Sequence, residues 1–319
     1  ASLKVQIQTP DVPRYTALVV EDVTIKKSPK WLVDKLTALG LNSINNVVDL
    51  TNFIMLELGQ PLHAFDYDHI KGNAMTIRAA RVGEKLETLE GKTLSLPKDV
   101  LVIEDAERLI DLAGIKGGKV SAISVSTQNI VLQAASFKRE TIYRAKSQLN
   151  YTTQAADLYS HELDPNLTNL ALGRAAALLS ELGIGGKIIQ LVDIYPRKVQ
   201  PKRIALRAQF LESMLGIPIP QKEVKQILEN LGCKVIIKPR GLEVSVPTRR
   251  IDLTIEEDLV EEVGRMHGYE RIPSAFPVAS LIPPPRNNEL LWQERIRDAF
   301  KGLGFKETYN YSFLGEKDL

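Results

Sequence analysis

Two proline-bearing breaks decide what this chain can fold into. Residues Pro196 to Lys202 read PRKVQPK, and Leu281 to Pro285 read LIPPP. Proline lacks the backbone donor and fixes φ, so neither stretch continues a helix or the middle of a sheet. One core cannot run through both. The 319 residues instead suit two or three modules: a long first part, a middle part of about 75 residues, and a short remainder.

The first part mixes strand and helix signals. Tyr15 to Ile25 (YTALVVEDVTI) alternates like a strand. Ser28-Pro29 then reads as an N-cap with proline at the first helical position, followed by Leu32, Leu36 and Leu39 at helical spacing and a closing Gly40. A second helix is expected from Val47 to Leu58, ended by Gly59. Short alternating runs between Thr76 and Asp105 predict a sheet, Ala113 to Gly118 a glycine-rich turn, and Asn129 to Ala134 a buried strand. Asp164-Pro165 opens a long helix that Gly183 closes.

The middle part holds the strand RIALR, a helix from Pro220 to Leu231, the strands CKVIIK and LEVSVP, and a last helix with a Thr254–Glu257 capping box. Two helices around a β-hairpin resemble a winged-helix arrangement. Past the second break come an amphipathic helix and a strand, TYNYSFL, too little for a core. The fold class is therefore α+β in several modules.

Composition removes other classes. Hydrophobic residues at 44% with 25% charged residues exclude wholesale disorder. No apolar run reaches the ~18–20 residues that span a bilayer, so no membrane role is expected. The start ASLKVQIQTPDVPRY has no basic stretch followed by an apolar one, so it does not read as a signal peptide. A single cysteine, Cys233, excludes a disulfide framework and reads as a small buried residue. The expected compartment is the cytosol. A net charge of +2 argues against bulk electrostatic capture of nucleic acid, but leaves room for local patches such as Lys138-Arg139, Arg144, Lys146 and Arg249-Arg250. His161-Glu162 fails as a zinc-protease motif, because Pro165 stands where the second histidine belongs.

Residues Asn45 to Asp66 read NNVVDLTNFIMLELGQPLHAFD. This stretch resembles the editing module of bacterial phenylalanyl-tRNA synthetase β subunits, where VVD, TNY, ML, GQP and HAFD recur. Thr248 to Pro273 (TRRIDLTIEEDLVEEVGRMHGYERIP) is similar to the end of the winged-helix-like module of the same subunits, and the NYSFL tail looks like the opening of their catalytic-like, inactive core. The resemblance implies a connector over residues 1–12, a tRNA-editing module over 13–199, a winged-helix-like module over 200–276, and a truncated catalytic-like domain over 277–319. The family's amino-terminal oligonucleotide-binding fold and most of its core are missing, so a fragment or short form is implied.

The resemblance also assigns residues. An editing site hydrolyses tyrosyl-tRNA because a phenylalanine pocket rejects an added hydroxyl only ~10²-fold. His63 falls on the family's editing histidine, and Thr153 and Ala155 on a Thr-x-Ala pair that bounds the ester and ring. Asn52, Gly117 and Gly118 fall on pocket positions. Residue types alone also read these as a packed histidine, a helix-capping threonine, a surface amide and an ordinary turn. The family places a glutamate that reads the tyrosine hydroxyl where this chain has Gln133, which gives up a charge-assisted bond roughly twice as strong as a neutral one. Leu158 to Pro165, Gln148 and Leu149 also depart from the pattern, so weakened or altered editing is expected.

Asp252, Asp258, Glu261 and Glu262 follow the spacing D-x5-D-x2-E-E, the last three on one helix face. Carboxylates suit Mg²⁺, and the resemblance implies a magnesium site shared with an α subunit; acids at a helix start equally make a solvated face. It further implies an α₂β₂ assembly, tRNA(Phe) as partner, and ATP used by the α subunit for aminoacylation. The rival expectation is a tRNA- or protein-binding module without editing. The acidic last helix, IEEDLVEEVGRM, favours a protein interface over a DNA groove.

Overall fold

The computed structural model describes residues 2–276, 278–280 and 282–318, so Leu281 of the second break and the expected boundary residue Pro277 lie outside the described residues. The chain forms two compact units, residues 1–272 and 273–319. The fold is α+β.

Strand β1 covers Lys4–Ile7 and β2 covers Arg14–Val23. Helices α1, Lys30–Ala38, and α2, Asn46–Leu58, follow, then β3, Leu62–Asp66. Strands β4 (Ala74–Ala79), β5 (Lys85–Glu87), β6 (Thr93–Ser95), β7 (Leu101–Glu104), β8 (Leu109–Leu112), β9 (Lys116–Gly117) and β10 (Ile130–Ser136) build most of the sheet structure. Helices α3 (Arg139–Leu149), α4 (Gln154–Ser160) and α5 (Leu167–Glu181) precede β11 (Gly185–Ile194).

Two sheets stack. One runs β1-β4-β7-β8-β9 and the other β11-β2-β10-β3. Alternation along β2 and β10 explains the layering: Tyr15, Ala17, Val19, Val131 and Ala135 join the core against the first sheet. Leu18, Val20, Ile130, Leu132 and Ala134 join a second core under α1, α2 and α5. A strand buried on both faces reads as a near-continuous apolar run, which is what ALVV and IVL are.

Helix α2 starts where Asn45 accepts from the amides of Val47 and Val48, and stops at Gly59 with φ 74°. Ser28 does not cap α1 as expected. Its hydroxyl donates to the fully buried Asp49 carboxylate at 2.5 Å, beside Ser43 at the same distance. The glycine turn is also different: Lys116–Gly117 is strand β9, antiparallel to β8.

The middle module contains β12 (Lys202–Arg207), α6 (Ala208–Leu215), α7 (Gln221–Asn230), β13 (Lys234–Lys238), β14 (Gly241–Val246) and α8 (Glu256–His267). Its sheet, β12-β14-β13, shares a core with all three helices, Cys233 included. Two hydrogen bonds tie it to the first module: Thr248 donates to Asp164 at 2.6 Å and accepts from Asn166 at 3.0 Å. The capping box of α8 is not Thr254–Glu257. Asp258 takes the role, accepting from the amides of Thr254 at 2.6 Å and Ile255 at 2.9 Å.

In the second unit, α9 covers Asn288–Gly302 and is capped by Asn287. The expected strand over residues 308–314 is not formed. Tyr309 and Phe313 are almost fully exposed, and a strand with no neighbour to pair with has no ladder to hold it. No helix among the described residues is long and apolar enough to cross a membrane.

Candidate functional site

Strand β3 is the edge of its sheet, and a cavity of about 520 Å³ runs along it, lined by the consecutive residues Leu62, His63 and Ala64. Small-ligand pockets commonly have such volumes. Helix α2 supplies Asn52 and Met55, β10 supplies Gln133, the β8–β9 hairpin supplies Asp111 and Gly117, and the start of α4 supplies Thr153 and Ala155. Six of the seven expected pocket residues therefore meet in one place.

His63 sits directly across from Gln133 in the β3–β10 register, so the two side chains share a face. Its ring meets Phe65 edge-on, with centroids 4.5 Å apart. The entry to β3 is pinned by Gln60, whose amide donates to the carbonyls of Pro61 and Ala135, both at 3.0 Å. Burial, with Lys116 nearby, holds the imidazole down to about 4, although 26% of the side chain stays open. The ring is neutral at physiological pH.

Gly117 lies against that ring. A Cβ built there would stand 2.8 Å from His63 Nε2, nearer still to Cε1. Gly118 is the exception among the expected residues: it does not line the cavity. Its amide donates to the Ile110 carbonyl at 3.0 Å, and a Cβ there would strike that carbonyl, so its smallness serves the contact with β8.

Thr153 caps α4. Its hydroxyl donates to the Ile115 carbonyl at 2.9 Å and accepts from the Ala156 amide at 3.1 Å. With its proton committed to that carbonyl, the hydroxyl fixes the cavity wall. Gln133 is different. Its Oε1 is buried with no hydrogen-bond partner among the described residues, an arrangement that costs stability unless something donates to it.

One acid in the cavity was not anticipated. Asp111, on β8, is buried, and its Oδ2 lies 3.8 Å from His63 Nε2. Burial raises its carboxyl well above the usual range. The sequence did hold a signal: an acid between Ile110 and Leu112 in an otherwise apolar run.

The acidic cluster does not assemble as expected. Arg250 reaches Asp252 at 2.6 Å and Glu262 at 3.1 Å, and Arg265 also holds Glu262, at 2.9 Å. Asp258 is spent on the helix cap, and Glu261 is exposed. Among the described residues no three His, Cys, Asp or Glu side chains group to hold a metal ion. The four carboxylates do not fit a magnesium site in this chain, because an arginine occupies the place between two of them. Of the bases expected at phosphates, Arg250 is thus engaged, and Lys138 and Lys146 pair with Asp11 and Asp157 at 2.7 and 2.6 Å.

Residues 11–184 match the B3/4 domain family, 204–269 the tRNA synthetase B5 domain, and 272–319 the phenylalanyl tRNA synthetase β chain CLM domain. A B3/4 domain thus frames the cavity. With the other two domains in order behind it, the chain belongs to the phenylalanine–tRNA ligase β subunit family. The β subunit of Syntrophus aciditrophicus is 41% identical over 98% of this chain and 40% of its own length. That of Solibacter usitatus is 42% identical over 99% and 42%; that of Clostridium acetobutylicum is 37% identical over 99% and 40%. The chain spans about 40% of the curated relatives it matches. Among solved structures, an N-terminal fragment of the phenylalanyl-tRNA synthetase β-subunit from Pyrococcus horikoshii matches at TM-score 0.42 and 18% identity, over 84% of this chain and 76% of that one. That likeness is too distant to carry an argument.

Proposed function

We propose that this chain carries the proofreading site of a phenylalanine–tRNA ligase β subunit and hydrolyses tyrosine from mischarged tRNA(Phe). One observation carries the reading: a largely apolar cavity holds a neutral imidazole, and the amide oxygen across from it on the next strand has no donor among the described residues. In hydrolysis, water adds to the ester carbonyl, the bond to the terminal ribose oxygen breaks, and that oxygen takes the proton. With its basicity pushed down to about 4, His63 serves as a hydrogen-bond acceptor that orients the water or a ribose hydroxyl, not as a strong proton store. Asn52, Ala155 and Gly117 shape the walls.

In this reading the α subunit performs aminoacylation with ATP, and the present chain joins it in a cytosolic α₂β₂ assembly that binds tRNA(Phe). Residues 13–199 form the editing module, 200–276 the winged-helix-like module, and 277–319 the opening of the catalytic-like domain. No step is assigned to magnesium, since the acids of α8 offer no donor set here.

The test is deacylation of tyrosyl-tRNA(Phe) by the chain in complex with its partner, compared with His63→Ala and Gln133→Glu. Hydrolysis above buffer that falls about 10²-fold in His63→Ala supports the reading. No hydrolysis by the unaltered protein refutes it. The committed hydroxyl of Thr153 favours a second reading, a binding module without chemistry, and the same assay separates the two.

A further inference from the structure

Two buried polar residues line the cavity, and they come from different sheets. Gln133 belongs to β10, and its Oε1 is buried without a partner among the described residues. Asp111 comes from β8, and burial alone perturbs its carboxyl, with no hydrogen bond to offset it. Both flank His63: Gln133 as its cross-strand neighbour, Asp111 at 3.8 Å from Nε2. A buried carboxyl costs stability that a leucine at the same place would not. The remaining wall is largely apolar, with Leu62, Met55, Ile115 and Phe137. The cavity therefore suits a ligand with an apolar ring and a hydrogen-bonding group at its edge.

We propose that Asp111 is a specificity-determining residue of this cavity: with Gln133 it reads a hydroxyl on the ring of an aromatic acyl group. The inference rests on the reading of the cavity as an acyl-ester site and names the group that would discriminate there. Burial favours the protonated carboxyl, the form that donates to the hydroxyl oxygen while the hydroxyl donates to Gln133 Oε1. A single ligand hydroxyl then engages both groups. An aromatic ring without it leaves both unpaired, which is how a polar site rejects an analogue by far more than an apolar pocket can. The acid that reads the ring is thus supplied from β8, in the sheet opposite the strand that carries the neutral Gln133.

The experiment uses the chain in complex with its partner subunit. The probes are adenosine carrying tyrosine or phenylalanine through a non-hydrolysable 3′-amide, with calorimetric affinities for the unaltered protein, Asp111→Ala, Asp111→Leu and Asp111→Asn. Deacylation of tyrosyl- and phenylalanyl-tRNA is followed in parallel, and melting curves confirm folding. The expected result is a preference for the tyrosine probe that falls about tenfold or more in Asp111→Ala and Asp111→Leu, and is largely kept by Asn, which still offers a donor. Asp111→Leu fills the space, so the comparison survives if Asp111→Ala fails to fold. An unchanged preference in either folded variant overturns the inference while leaving hydrolysis intact. Preference that depends on Asp111 without deacylation by the unaltered protein refutes the proofreading reading and upholds the inference. Failure to bind either probe overturns both.

Discussion

Gly117 passes so close to His63 that a methyl group on it would stand 2.8 Å from Nε2. The backbone on both sides belongs to paired strands and cannot retreat freely, so the imidazole would have to move. Gly117→Ala should therefore mimic loss of the histidine, lowering tyrosyl-tRNA hydrolysis by about 10²-fold with only a small change in melting temperature. Full activity in a folded Gly117→Ala protein would show that the ring position is unimportant.

Thr153 gives a stability prediction separate from chemistry. Removing its hydroxyl deletes the cap of α4 and the bond to Ile115. Thr153→Ala should cost about 1–2 kcal/mol in urea unfolding, and Thr153→Ser should recover most of it. If serine and alanine are equally destabilised, the lost methyl group and not the hydroxyl is responsible.

His63 sets one pH response. Its folded value, about 4, is below the ordinary 6.5, so between those limits the unfolded chain binds the extra proton. The stability it contributes is present above about pH 6.5 and lost as pH falls toward 4. Replacing it with asparagine should flatten the stability profile in that window. Equal slopes in both proteins would place the titration elsewhere.

Asp111 acts in the opposite sense. Its folded value is raised, so its contribution is intact below the ordinary carboxyl range and lost as pH rises through the folded value. Asp111→Asn should gain stability relative to the unaltered protein as pH increases. A difference that is constant from acid to neutral pH would mean that the carboxyl does not titrate abnormally.

The α8 acids predict an inert response to metal. Added Mg²⁺ should leave the melting temperature of this chain unchanged, whereas Arg250→Ala, which strips a partner from the buried Glu262, should cost about 2–3 kcal/mol. A magnesium-dependent rise in melting temperature would show that the carboxylates rearrange around the ion.

The layering was readable where a strand or helix announces itself locally. Strand β2 follows from an apolar run, and α2 from its asparagine cap and terminal glycine. Strand β11 was missed because it is an edge strand whose exposed Ile188, Ile189 and Leu191 show no inward alternation. Asp252 and Arg250 were assigned to a metal and to tRNA phosphates, two residues apart in sequence; in three dimensions they neutralise each other. Pairwise satisfaction of that kind depends on how a loop turns, which spacing does not encode. Asp111 escaped for a related reason, since its meaning comes from His63, which approaches it from another sheet.

That origin has a consequence for the molecule as a whole. His63 and Gln133 hang from one sheet while Asp111 and Gly117 hang from the other, so the cavity is a seam between separately built walls. A molecule bound in the seam works as a rivet: the tighter it binds the closed form, the more work is needed to part the sheets. Occupancy of the cavity and cohesion of its two walls are then coupled, each strengthening the other.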